Sequence, residues 1–83
     1  MSYGILWPDP ALADLADAYL SARSDDFNRA VEFLEAELVR DPATAGESRA
    51  GPSRIVYDLP ASILHRVDDS AQVVDVLTVR YHS

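Results

Sequence analysis

Apolar residues recur along this chain with two different periods, and the change of period marks its elements. The stretch "SYGILW" (residues 2–7) is a short run of strand formers that stops at Pro8, which predicts a first strand near 3–7. Asp9 followed by Pro10 has the form of an N-cap with proline at the first helical position. Leu12, Leu15, Ala16, Tyr19 and Ala22 then follow at spacings of three and four. They outline one face of a helix over 9–22, with Leu12, Leu15 and Tyr19 expected to face a sheet. Ser24 is placed to cap a second helix over 24–40, and Asp25 and Asp26 suit its positive end. Phe27, Ala30, Val31, Leu34 and Leu38 form its stripe, while Glu32 and Glu35 fall off it toward water. Arg40 lies in its last turn and Asp41-Pro42 stops it. So short a junction between the helices predicts an antiparallel hairpin.

Residues 41–53 hold two prolines and two glycines with no periodicity and read as a loop. Beyond it the period shortens. "RIVYDLP", "SILHRV" and "QVVDVLTVRY" predict strands near 53–58, 62–67 and 71–80. Asp68, Asp69 and Ser70 supply a tight turn between the last two, which therefore pair antiparallel. Pro60 has no backbone donor and belongs at a strand end or edge. The last run is apolar at nearly every position and should be a central strand covered by helices on one face. The whole chain, 1–83, reads as a single α+β domain. Its helical hairpin packs on a small, mostly antiparallel sheet, in the order β-α-α-β-β-β.

Composition leaves that picture intact, and charge sharpens it. The chain has no cysteine, which removes disulfides, thiol chemistry and zinc–thiolate sites and fits a cytoplasmic location. No apolar run reaches the length of a membrane span, and the N-terminus lacks the basic segment of a secretory leader. Net charge is −7, with nine acids against three arginines in residues 1–42 and five against four in residues 43–83. Lysine is absent, so every permanent side-chain cation is an arginine. The acidic half should repel nucleic acid and attract a basic partner.

Short words in the sequence add to this. Ala30 and Leu34 form an A-x-x-x-L word in the second helix, and Leu38, Asp41 and Pro42 an L-x-x-D-P word at its end. Gly46-Glu47 follows, then Arg54 opening a strand. Ile63, His65 and Val67 alternate in the next strand, and Val74, Val76, Leu77 and Val79 close the chain. In this order, over essentially the whole chain, they resemble the RelE/ParE superfamily of toxins from bacterial toxin–antitoxin systems. The chain departs from that pattern at several places. His65 stands where the family usually has tyrosine, and Ser62 where the nuclease branch has arginine. The lysine-rich stretch is missing, and Arg80, Tyr81 and His82 are followed only by Ser83.

The resemblance implies a cognate antitoxin as partner and no metal or other cofactor. The target would be the ribosome with its messenger RNA in the RelE branch, or DNA gyrase in the ParE branch. Metal-independent RNA cleavage needs proton transfer and cations for the phosphate. The catalytic candidates, if the chain is a nuclease, are Arg54, Tyr81 and His82. The target-binding candidates are Arg54, Arg66 and Arg80. Period two puts Arg80 with His82 on one face of the last strand, and Tyr81 with Leu77 and Asp75 on the other. Plainer roles stand beside these. His65 reads as a half-buried packing residue, Arg66 as a partner of Asp68 or Asp75, Glu47 as loop surface, and His82 and Ser83 as a frayed end. Losing one oriented transition-state cation typically costs about 10²–10³ in rate. The missing cations therefore favour a toxin that acts by binding, ahead of an RNA endonuclease or a non-toxic interaction domain on the same scaffold.

Overall fold

Val74, Val76 and Val79 are buried beneath two helices, and the strand that carries them organises the sheet. The computed structural model describes residues 3–23, 25–49 and 51–82; the expected cap Ser24 and the terminal Ser83 lie outside them. The elements are β1 (Gly4–Leu6), α1 (Asp9–Ala22), α2 (Asp25–Arg40), β2 (Glu47–Ser48), β3 (Ser53–Asp58), β4 (Ala61–Asp68) and β5 (Val73–Tyr81). They form one mixed sheet in the order β1-β5-β4-β3-β2. β1 runs parallel to β5, and the other pairs are antiparallel. The α+β class and the order of elements are those predicted, with β5 inside the sheet.

The second helix follows its sequence pattern. Phe27, Ala30, Val31, Leu34 and Leu38 are all buried, and they pack with Val56, Ala61, Ile63, Val74, Val76 and Val79 in one core. The first helix is rotated from expectation. Its buried residues are Ala11 and Ala18, with Leu15 and Ala22 packed beside them, while Leu12 and Tyr19 are 46% and 40% exposed. The reason is steric. Two alanines let the helix backbone lie close to the sheet, which bulkier Leu12 and Tyr19 would prevent. α1 also begins differently. Pro8 holds the cap position and Asp9 is the first helical residue, so Asp9 acts on the helix dipole and not as the cap.

Two further differences lie in the connections. The segment expected to be loop contains β2, paired with β3 through Glu47↔Ile55 and Ser48↔Arg54. Gly46 permits this. Its φ is +72°, and a Cβ there would run into the Ile55 carbonyl, so only glycine brings the chain so close to β3. Between β4 and β5 the Ala71 N–H donates to Asp68 Oδ1 at 3.2 Å and the Gln72 N–H to the Asp69 carbonyl at 3.3 Å. That turn runs through Gln72 and delays β5 to Val73, two residues later than predicted.

The rotated helix has a mutational signature. Leu34→Asp, which places an unpaired charge where no surface is exposed, should abolish cooperative thermal unfolding, a loss of more than about 4 kcal/mol. Leu12→Asp should shift the midpoint by only a few degrees. Equal damage from both, measured by circular dichroism melts, would mean that Leu12 faces the core.

Candidate functional site

Strand alternation divides the sheet residues into a helix-covered face and an open face. In the β4–β5 ladder, Ser62 lies opposite Arg80 and Leu64 opposite Thr78 on the open face, and Ala61 opposite Tyr81 and Ile63 opposite Val79 on the covered face. Between Leu64 and His65 the register slips. Thr78 pairs with Leu64 and Val76 with His65, so Leu77 has no partner on β4, which is a β-bulge. The bulge breaks strict period two. Tyr81 faces the helices, where its ring meets Phe27 edge-on at 5.8 Å. Asp75, expected on the same face as Tyr81, is on the other, paired with Arg66 at 3.4 Å.

The open face carries a cleft of about 410 Å³ whose lining includes Arg49, Ser53, Ile55, Ser62, Leu64 and Arg80. Its walls are part apolar, and its polar groups are hydroxyls and guanidinium groups. His82 stands at its end. The predicted fraying is absent there: the His82 N–H donates to the Pro60 carbonyl at 2.7 Å, and Nε2 lies 2.8 Å from the buried Ser62 Oγ. The His82 ring is 6.1 Å from that of Tyr57. Arg49 is held by Glu47 at 3.3 Å and by the Ser48 carbonyl at 3.2 Å, and reaches the Tyr57 hydroxyl at 3.4 Å. Arg80 is exposed and has no hydrogen bond or ion pair among the described residues. It is a cation facing water beside a histidine–serine pair, which is an arrangement that receives an anion.

Arg54 is engaged elsewhere. It lies on the covered face, opposite His65, and its guanidinium ties down the preceding loop. Nε donates to the Ala45 carbonyl at 2.9 Å, Nη2 to the Gly46 carbonyl at 2.8 Å and the Thr44 carbonyl at 3.4 Å, and Nη1 to Ser48 Oγ at 2.9 Å. These bonds use most of its five donors. Of the three residues singled out for catalysis, then, only His82 is on the open face; of the three singled out for target binding, Arg66 and Arg80 are. Sequence reasoning passed over Arg49, Ser62 and Tyr57. Alternation of 53, 55 and 57 against 62 and 64 carried the signal for Tyr57 and Ser62. Arg49 sits in an aperiodic segment and gave none.

His65 is more buried than expected, with no exposed surface. Its Nε2–H donates to the Pro42 carbonyl at 3.2 Å, and Nδ1 has no partner. Burial holds its pKa below the ordinary histidine value, and the Arg54 charge pushes the same way. Together Arg54 and His65 fasten residues 42–48 to the sheet from beneath.

No protein-family model matches the chain, and no curated protein is significantly similar to it. Among solved structures, a chain of the RelBE2 toxin–antitoxin complex from Mycobacterium tuberculosis superposes with a TM-score of 0.75. Sequence identity is 24%, over 99% of this chain and 100% of that one. The fold is therefore shared from end to end. No helix among the described residues is long and apolar enough to cross a membrane.

His65 makes stability depend on pH. The unfolded chain takes up a proton near pH 6.5, whereas the folded chain resists it. Stability is thus complete above that value and declines as pH falls through it. The urea midpoint should drop between pH 7.5 and 5.5, and His65→Gln should flatten that decline. An unchanged pH profile in the variant would remove His65 as its cause.

Proposed function

We propose that this chain is the toxin component of a type II toxin–antitoxin pair. In this reading it binds a cellular target through the open face of its sheet and is neutralised by a cognate antitoxin. The observation that carries the reading is the end-to-end match to a chain of a toxin–antitoxin complex, together with the ordered words that resemble the RelE/ParE superfamily. Fold alone does not name a function, so the site has to supply the mechanism. Arg49, Arg66 and Arg80 give the open face three cations in a chain of net charge −7. That is enough to engage an acidic or phosphate-bearing surface locally, and too few for broad affinity to a nucleic-acid backbone. Arg54 spends its donors on its own loop, and Tyr81 packs on Phe27. Binding to a protein such as DNA gyrase fits this inventory better than cleavage.

One observation favours a second reading, a ribosome-dependent messenger RNA endonuclease. His82 and Ser62, 2.8 Å apart, stand at a cleft that Arg49 and Arg80 also line. A histidine can move the proton of a ribose hydroxyl near neutral pH, and a guanidinium can hold the phosphate.

Controlled expression decides between the readings. Under the proposal, the chain arrests growth, co-expression of the neighbouring gene's product relieves the arrest, and Arg49→Glu/Arg80→Glu abolishes it. His82→Ala retains toxicity, and purified protein leaves messenger RNA on translating ribosomes intact. Ribosome-coupled cleavage that falls about 10²-fold or more in His82→Ala would instead establish the nuclease. Absence of any growth effect would leave an interaction domain on a toxin-like scaffold.

A further inference from the structure

The helical layer carries an apolar surface that no described residue covers. Leu12, Tyr19, Leu20 and Phe33 are four of the seven large hydrophobics exposed among the described residues, so the exposure concentrates on this layer. Leu12 and Tyr19 are seven positions apart, about two helical turns, and stand above one another on the same side of α1. That side faces α2. Tyr19 meets Phe27 edge-on at 5.3 Å, and its hydroxyl is held above its ordinary pKa by burial and by the nearby Glu35 and Glu32 carboxylates. Glu35 in turn accepts a hydrogen bond from Trp7, which marks one end of a groove between the helices. At the other end a cleft of about 500 Å³ opens between Tyr19, Arg23, Asp25, Asn28 and Glu32.

The groove thus has an apolar wall on α1 and an acidic wall on α2. Glu32 and Glu35 form no ion pair among the described residues. Glu35 is half-buried, and burial raises its pKa; the Trp7 bond opposes that rise and repulsion by Glu32 adds to it. A half-buried carboxylate beside a like charge is stabilised by a cation, and the helices do not supply one here. A second copy of this chain would bring the same acidic helical surface, nine acids against three arginines over residues 1–42, so charge opposes self-pairing.

We infer that the groove between α1 and α2 docks a basic amphipathic helix of a partner protein. An aliphatic side chain of that helix lies against Leu12 and Tyr19, and an arginine or lysine pairs with Glu32 and Glu35. The inference rests on the toxin–antitoxin reading, in which the partner is the antitoxin. Helix-in-groove recognition uses this combination of apolar anchors and flanking charge.

Two probes separate the groove from the reading that it rests on. The first is a synthetic amphipathic peptide of about 16 residues, long enough to hold helical form, with leucines on one face and arginines and lysines on the other. Titrated into isotope-labelled full-length chain, it should shift the resonances of Leu12, Tyr19, Glu32 and Glu35 and bind more weakly at high salt. Glu32→Lys/Glu35→Lys, with an unchanged thermal melt, should weaken it about tenfold or more. A matched peptide with glutamates on its polar face should not bind. Shifts confined to the open sheet face, no binding, or undiminished binding by the double variant would overturn the inference. The second probe is the neighbouring gene's product, co-purified with the chain. A complex that survives Glu32→Lys/Glu35→Lys but is lost in Arg80→Glu overturns the groove and leaves the toxin reading standing. A product that never binds, beside a peptide that docks as expected, does the reverse. A concentration-dependent dimer abolished by Leu12→Lys would assign the groove to a second copy and overturn the partner proposed.

Discussion

Phe27 has no exposed surface and offers its ring to two others at once: Tyr19 of α1 at 5.3 Å and Tyr81 of β5 at 5.8 Å, both edge-on. Each such contact contributes about 0.5–1.5 kcal/mol beyond area burial, but its geometry matters more than its energy here. By drawing Tyr81 into the helix-covered side, Phe27 commits its neighbours Arg80 and His82 to the open side. The Pro60 carbonyl then holds the His82 backbone at 2.7 Å, and the end of the chain is fixed at both faces. The same ring sets Tyr19 at the wall of the inter-helix groove. One buried aromatic therefore aligns both surfaces that can meet another molecule.

Those surfaces differ in charge. The helical layer bears the chain's acidic excess, whereas Arg49, Arg66 and Arg80 project from the open sheet face. Arg66 is paired with Asp75 at 3.4 Å, an exposed bridge worth little to stability, so its charge is tempered. Arg80 is unpaired among the described residues. Such a molecule has a direction. Partners of opposite charge approach it from opposite sides, and occupancy of one side does not by itself obstruct the other.

Where one pattern had one explanation, the sequence was a sufficient guide. The α2 stripe from Phe27 to Leu38 was legible because its other positions are mostly polar, and the four longest elements fell close to their expected places. α1 was not legible, because it is apolar on two sides. Leu12 and Tyr19 present the larger side chains, and nothing in one sequence says that small alanines win the contact with the sheet. β2 was hidden because two residues carry no period. Its presence depends on Gly46 and on Arg54 bonds across eight to ten positions. The site suffered from the same non-locality. Arg54 looked like a free cation at the mouth of a strand, and only the folded loop reveals carbonyls saturating it. The pairing of Arg80 with His82 was legible from alternation, whereas the company expected for Tyr81 was wrong by one bulged residue.

That bulge has an evolutionary side. Leu77 is the single position at which β5 loses step with β4, so one codon stands between the present partition of the terminus and its inverse. Deleting it would carry Tyr81 out to the solvent side and drive Arg80 and His82 toward the core, where neither charge nor ring has a partner. A chain in this state can change strand residues freely by substitution. It cannot change the length of β5 by one without exchanging its two faces, which makes indels rather than substitutions the events that bound how far such a surface can drift.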